Sequence, residues 1–191
     1  MDLSFNYASI NPIATRALAF ASAAHANQKR KYSDNAYIVH PIAVANLIKT
    51  LTDLPKDGNA VAAAYLHDTV EDTAVTLGDI QMHFGQPVTE YVHYLTKVSK
   101  KEDGNRAYRT AMDREWFAKG GHVPQTIKLC DIYDNARDII VSNPRFAKTY
   151  IPECIAIAKR MSKALPHLQV QVVNLLDEYR KDLENEDAKA A

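Results

Sequence analysis

The stretch from His67 to Asp72, HDTVED, gathers one imidazole and three carboxylates in six consecutive residues. On a helix of about 3.6 residues per turn, His67 and Asp68 are neighbours roughly 100° apart. Glu71 falls one turn beyond His67 on nearly the same face. The preceding residues, Ala60 to Leu66, are apolar, and Ala60 and Ala64 continue the His67 face with small side chains that permit close helix packing. A histidine with several acids at the end of a buried helix is costly without a compensating partner. A divalent cation is the most direct compensation. A hydrated helix end would suit an isolated His-Asp pair, but the apolar run before this one favours a site.

A mononuclear site takes about four protein ligands, or fewer completed by water. His40 is one candidate, fixed at a helix start by Pro41 and preceded by Tyr37, Ile38 and Val39. Taken alone it also reads as a capping or packed histidine. Asp131 is the other. Leu129, Ile132, Tyr133, Ala136 and Ile140 form the apolar stripe of its helix, whereas Lys128, Asp131, Asn135 and Asp138 line another face. Spacing alone reads that second face as hydrated sooner than as a site.

The elements that must position these residues are helices. Strand-like alternation is nearly absent, glycines number only six, and helical periodicity recurs along most of the length. Asn11-Pro12 opens a first helix as cap and first-turn proline, with Ile13, Ala17, Phe20, Ala21 and Ala24 as its apolar stripe. The segment KRKYSDNAY (29–37) is a loop. His40-Pro41 starts a second helix, in which the proline costs little because a first-turn amide needs no intrahelical partner. A third, predicted from Asp57 to Glu71, is apolar nearly all round and so central. Thr76 with Asp79 forms a capping box closed by Gly85, and Pro87 opens a helix through Thr96. The lysine-bearing loop KVSKKEDGN (97–105) precedes a helix ending near Gly120-Gly121. Pro124 begins the helix of Asp131, which ends at Asn143-Pro144. Two further helices are expected, with Pro152 and Pro166 near their starts, and the last residues, ENEDAKAA, are expected to fray.

A chain of 191 residues suits one domain with one core. Lysine plus arginine and aspartate plus glutamate are equal at 23 each, so no global field recruits nucleic acid or an acidic membrane, and an anion site must be local. The two cysteines, Cys130 and Cys154, make no disulfide framework. No secretory signal is recognisable in MDLSFNYASINP, and no apolar run of about 18 residues argues for a membrane span. A reducing, cytoplasmic setting is the expectation.

With these residues in view, the sequence resembles the HD hydrolase family, specifically its branch that removes pyrophosphate from guanosine alarmones. The family's H…HD…D pattern matches His40, His67, Asp68 and Asp131. Its YIVHP-type entry matches Tyr37 to Pro41, HDxxEDT matches His67 to Thr73, and KLxDxxxNxR matches Lys128 to Arg137. HFGQPVTEYVHYLTKVSK resembles the branch between the second and third motifs, and NPRFAKTYIPE resembles its small single-domain bacterial hydrolases. The resemblance covers roughly residues 10–165. It implies an all-α, single-domain helical bundle with a buried mononuclear site, usually holding manganese at the four matched residues. It also implies that Glu71 and Asp72 position or activate the attacking water and that Asn135 lies beside a small-molecule nucleotide. Arg30 and Lys31 match the family's pair that lies against base and phosphates. Lys97, Lys100, Lys101, Arg106 and Arg109 are further cations for a polyanionic substrate. Other readings are a phosphatase of a deoxynucleoside monophosphate or nicotinamide dinucleotide phosphate, or an antitoxin-like partner. There is no room for a synthetase domain, so hydrolysis alone is expected.

The chain departs from the family at three places. Asp34-Asn35-Ala36 replaces a usual glycine-proline turn. His25-Ala26-Asn27-Gln28 carries asparagine where glycine is usual, a residue that tolerates left-handed backbone. Cys130 replaces a small alanine and reads as a packed thiol.

Overall fold

The structure, a computed structural model, describes residues 11–51, 54 and 58–190, with side chains to residue 185. The predicted start of the third helix at Asp57 and the segment before Asn11 lie outside the described residues.

Asn11 caps α1 (Pro12–Ala24) by accepting a hydrogen bond from the Ile13 amide, and Pro12 occupies the first turn. α2 runs Val39–Leu51 and buries His40, Val44 and Ile48. α3 (Asn59–Leu66) is buried at every position from Ala60 to Leu66, because α1, α2, α6 and α8 pack around it. Gly58 starts it with φ 73°, and a Cβ there would run into the Asn11 carboxamide, so glycine is required on both counts.

The predicted helix through Glu71 is in fact two. After Leu66 the chain turns through His67 and Asp68 and resumes as α4 (Thr69–Asp72). Both residues keep right-handed helical backbone, Asp68 at φ −98° and ψ −7°, and the Thr69 hydroxyl donates to the Leu66 carbonyl at 2.7 Å across the turn. The neighbouring side chains of His67 and Asp68 meet at this turn, Asp68 Oδ2 lying 3.0 Å from His67 Nε2.

Beyond it come α5 (Leu77–Phe84), with its Thr76–Asp79 capping box, and α6 (Gln86–Leu95). A 3₁₀ turn at Lys101–Asp103 precedes α7 (Arg106–Phe117). α8 (His122–Ser142) carries the Asp131 face. α9 (Pro144–Arg160) starts at Pro144, with the Asn143 side chain accepting from the Phe146 amide. Pro152 therefore lies inside α9 rather than near its start, since Asn143-Pro144 already supplies the cap and the first-turn proline. α10 is Pro166–Ala190. Among the described residues the chain is all-helical apart from one isolated antiparallel bridge, Lys29 to Ala36, which closes the departing loop. No described non-glycine residue has positive φ, so Asn27 needs no left-handed backbone. No helix of the described residues is long and apolar enough to cross a membrane.

Candidate metal centre and cavity

His40 from α2, His67 and Asp68 from the α3–α4 turn, and Asp131 from α8 converge. His40 Nε2 lies 3.2 Å from His67 Nε2 and 3.1 Å from an Asp131 oxygen. Asp68 Oδ2 lies 3.0 Å from His67 Nε2 and 3.6 Å from His40 Nε2, and His67 Nε2 is 3.6 Å from Asp131. The two histidines are each 1% exposed and Asp131 is 5% exposed.

The outward nitrogens show what such a cluster is for. His67 Nδ1 lies 2.8 Å from the Ala64 carbonyl, an acceptor only, so Nδ1 carries the proton and donates. His40 Nδ1 donates likewise to the Asp134 carboxylate at 2.6 Å. In their neutral forms both rings therefore aim an Nε2 lone pair at the same point, beside two carboxylate oxygens. Donors each about 2.1 Å from one ion lie about 3.0–3.4 Å from one another; His40, His67 and Asp131 form a group whose donor atoms all lie within 4.8 Å of one another, and Asp68 joins it from the His67 side, 3.0 Å from His67 Nε2. Charge agrees with geometry. Burial alone would lower the pKa of His67, but Asp68 and Asp131 outweigh it and raise it well above the ordinary histidine value. Burial would raise Asp131, but the Lys128 ammonium and the two histidines hold it well below the usual carboxylate range. The pocket favours positive charge despite being buried, as a divalent cation site must.

Supporting contacts fix the donors. The Tyr37 hydroxyl donates to Asp68 Oδ2 at 2.6 Å, Lys128 Nζ to Asp131 at 2.7 Å and the Asn135 amide to Asp131 at 2.6 Å. Asp134 went unread in the sequence, although its spacing of three from Asp131 places it on the same face. A histidine's second nitrogen needs such a partner, and that was the usable signal. Cys130 is buried and pushed up to about 12 by burial, so it is an inert packed thiol.

Beside the cluster a cavity of about 460 Å³ is lined by Asp68, Asp131, Glu71, Asp72 and Asn135 together with Lys97, Lys101, Arg106, Arg109 and Lys128. Glu71 and Asp72 thus sit at the boundary between the cluster and the cations. Burial, then the Asp68 charge, pushes Asp72 above the usual carboxylate value. Glu71 forms an ion pair with Lys97 Nζ and accepts from the Lys97 amide at 3.3 Å. Of the remaining expected residues, Arg30 donates to Asn135 at 3.0 Å and Asp138 at 2.8 Å on a second, adjoining cavity of about 360 Å³. Lys31 turns instead to the rings of Tyr32 and Phe146, 5.2 and 5.8 Å from their centroids. Lys100 does not line either cavity.

The HD domain family matches residues 17–119, a stretch that includes His40, His67, Asp68, Glu71 and Asp72. The chain belongs to this family. HD membership and the buried His/His/Asp cluster together imply a divalent metal. The chain is 45% identical over 132 residues to a probable guanosine-3′,5′-bis(diphosphate) 3′-pyrophosphohydrolase of Synechocystis, covering 68% of this chain and 17% of that one. It is 30% identical over 189 residues to the Aquifex aeolicus protein of the same activity, covering 88% of this chain and 26% of that one. The chain thus spans about a sixth to a quarter of those relatives. It matches far more of a shorter one, the MESH1 pyrophosphohydrolase of Xenopus tropicalis, at 30% identity over 148 residues, 76% of this chain and 80% of that one. A solved structure of a metazoan ortholog of SpoT that hydrolyses ppGpp shares the fold, with a TM-score of 0.78 at 24% identity over 90% of this chain and 97% of that one.

Proposed function

We propose that this HD domain hydrolyses guanosine 3′,5′-bis(diphosphate) and related alarmones to GDP or GTP and pyrophosphate, with manganese at His40, His67, Asp68 and Asp131. The observation that carries the reading is the convergence of His40, His67 and Asp131 donor atoms, with Asp68 3.0 Å from His67 Nε2, at the edge of a cavity that also presents Glu71, Asp72 and several cations. The named activity of the Xenopus relative, most of whose length the chain covers, supports the substrate.

When bound, the ion supplies Lewis acidity toward water and toward a phosphoryl oxygen. The chain's own residues do the rest. Glu71 accepts a proton from the attacking water, whose oxygen forms a bond to the phosphorus next to the ribose 3′-oxygen. The bond from that phosphorus to the 3′-oxygen breaks, pyrophosphate leaves, and Asp72 supplies a proton to the 3′-oxygen. Lys97, Lys101 and Arg109 oppose the phosphate charge from the cavity wall, and Arg30 and Asn135 hold the nucleoside.

The test is product identification. The purified protein is incubated with manganese and a panel of guanosine and adenosine alarmones, deoxynucleoside monophosphates and nicotinamide dinucleotide phosphate, with and without chelator. Release of pyrophosphate from the guanosine alarmones, abolished by chelator, is expected. Release of monophosphate alone, or turnover confined to the other nucleotides, would overturn the assignment.

A further inference from the structure

Asp113, on α7, is 5% exposed and has no part in the reaction as described above. Its Oδ1 accepts the amides of Val98 at 3.1 Å and Ser99 at 2.9 Å, and its Oδ2 accepts the Ser99 hydroxyl at 2.7 Å. A buried carboxylate is costly even when satisfied, and an apolar residue would fill the same space more cheaply. What the carboxylate adds is a fixed backbone immediately after Lys97. Lys97 in turn reaches Glu71 twice, through its amide and through its ammonium group. A continuous line of hydrogen bonds thus runs from α7, through residues 97–99, to α4.

We propose that Asp113 is a positioning residue for Glu71, acting through the 97–99 segment: it holds Lys97 where its amide and side chain fix the Glu71 carboxylate. The inference rests on the reading that Glu71 takes the proton of the attacking water. A base held by a fixed backbone amide keeps its near-attack position, and a small displacement of such a group costs rate rather than binding. Asp113 touches none of the four metal-facing residues, so its loss leaves metal affinity alone.

Three variants test this: Asp113→Leu removes all three hydrogen bonds, Asp113→Asn keeps an acceptor for the two amides, and Ser99→Ala removes only the hydroxyl bond. Expected for Asp113→Leu are a kcat about 10–100-fold lower with KM changed by less than about threefold, unchanged manganese affinity, and faster hydrogen exchange at the amides of Lys97, Val98 and Ser99. Asp113→Asn recovers most of the kcat. In a Glu71→Gln background Asp113→Leu costs nothing further, because both act on one step. An undiminished kcat in Asp113→Leu, no recovery in Asp113→Asn, or a full additional loss in the Glu71→Gln background would each overturn the proposal. Should Asp113→Leu not fold, Ser99→Ala carries the test: faster exchange with kcat about 2–5-fold lower supports it, and faster exchange with unchanged kcat overturns it. If the wild-type protein hydrolyses no alarmone, the substrate reading fails separately. The clamp is then judged by exchange alone, and a Lys97 amide equally protected in wild type and Asp113→Leu would refute it.

Discussion

Around His40, His67, Asp68 and Asp131 every donor is fixed before any ligand arrives: the histidines by Ala64 and Asp134, the carboxylates by Tyr37, Lys128 and Asn135. The cationic wall of the cavity is organised in the opposite way. Arg106 on that wall is paired with Glu153, and Arg30 on the second cavity with Asp138. On the proposed reading a bound phosphate displaces Glu153 from Arg106, while Lys97 stays on Glu71. One end of the site is preorganised and buried, and the other pairs its cations internally. The difference teaches where mutations should be severe. Removing a group at the metal end leaves buried charge uncompensated, whereas removing one at the cationic end perturbs pairs that water already screens.

The largest effect is therefore expected from Asp68→Ala or His67→Ala, which should abolish metal binding and hydrolysis together, as read by metal analysis and pyrophosphate release. Next comes Glu71→Gln, which should keep the metal while kcat falls by about 10²–10⁴-fold. Loss of metal from that variant would place Glu71 inside the ligand set and blur the boundary between the two regions. Asp134→Ala should weaken manganese affinity by about 10–100-fold, since it frees His40 Nδ1; an unchanged affinity would mean that packing alone orients the ring. The smallest effect belongs to Asp138→Asn. By releasing Arg30 from a half-buried ion pair it should change KM by only a few-fold, in line with the modest worth of such pairs, with kcat unaltered. A large kcat loss there would show the nucleotide end to be as preorganised as the metal end.

A pH series sharpens the same contrast. The raised pKa of His67 means that in the metal-free protein the protonated ring contributes stability that is complete below the unfolded-state value and lost as pH rises through the folded-state value. A cation at the cluster competes with that proton. The gain in Tm on adding manganese should accordingly grow between about pH 6 and about pH 8. A gain that shrinks over this range would contradict the assignment of His67 to the metal end.

The metal end was also the more legible in the sequence, though only in part. His67 and Asp68 declared themselves by an apolar run ending in charge. The interruption between α3 and α4 at these two residues did not, because helix periodicity carries no mark for a break of two residues. His40 and Asp131 were ambiguous by spacing, since a histidine beside Pro41 caps or packs as readily as it ligates. The family resemblance pointed to both, and α2 and α8 packing on α3 brings them together in space. Asp134 and Asp113 were unread for a common reason: their partners, His40 and the 98–99 amides, lie 94 and 14–15 residues away along the chain. Pro152 misled because proline marks helix starts more often than interiors, and the start it seemed to mark was already supplied by Asn143-Pro144. At the nucleotide end the fate of Lys31, held over aromatic rings, depended on residues from α9 that no local pattern connects to it.

The most direct test of the central claim is manganese titration of chelator-stripped wild-type protein and of Asp68→Ala, followed in the same samples by pyrophosphate release from guanosine 3′,5′-bis(diphosphate). The account predicts a single tight ion per wild-type chain, with activity rising in step with its occupancy, and neither in Asp68→Ala. Full hydrolysis by metal-free Asp68→Ala would contradict it.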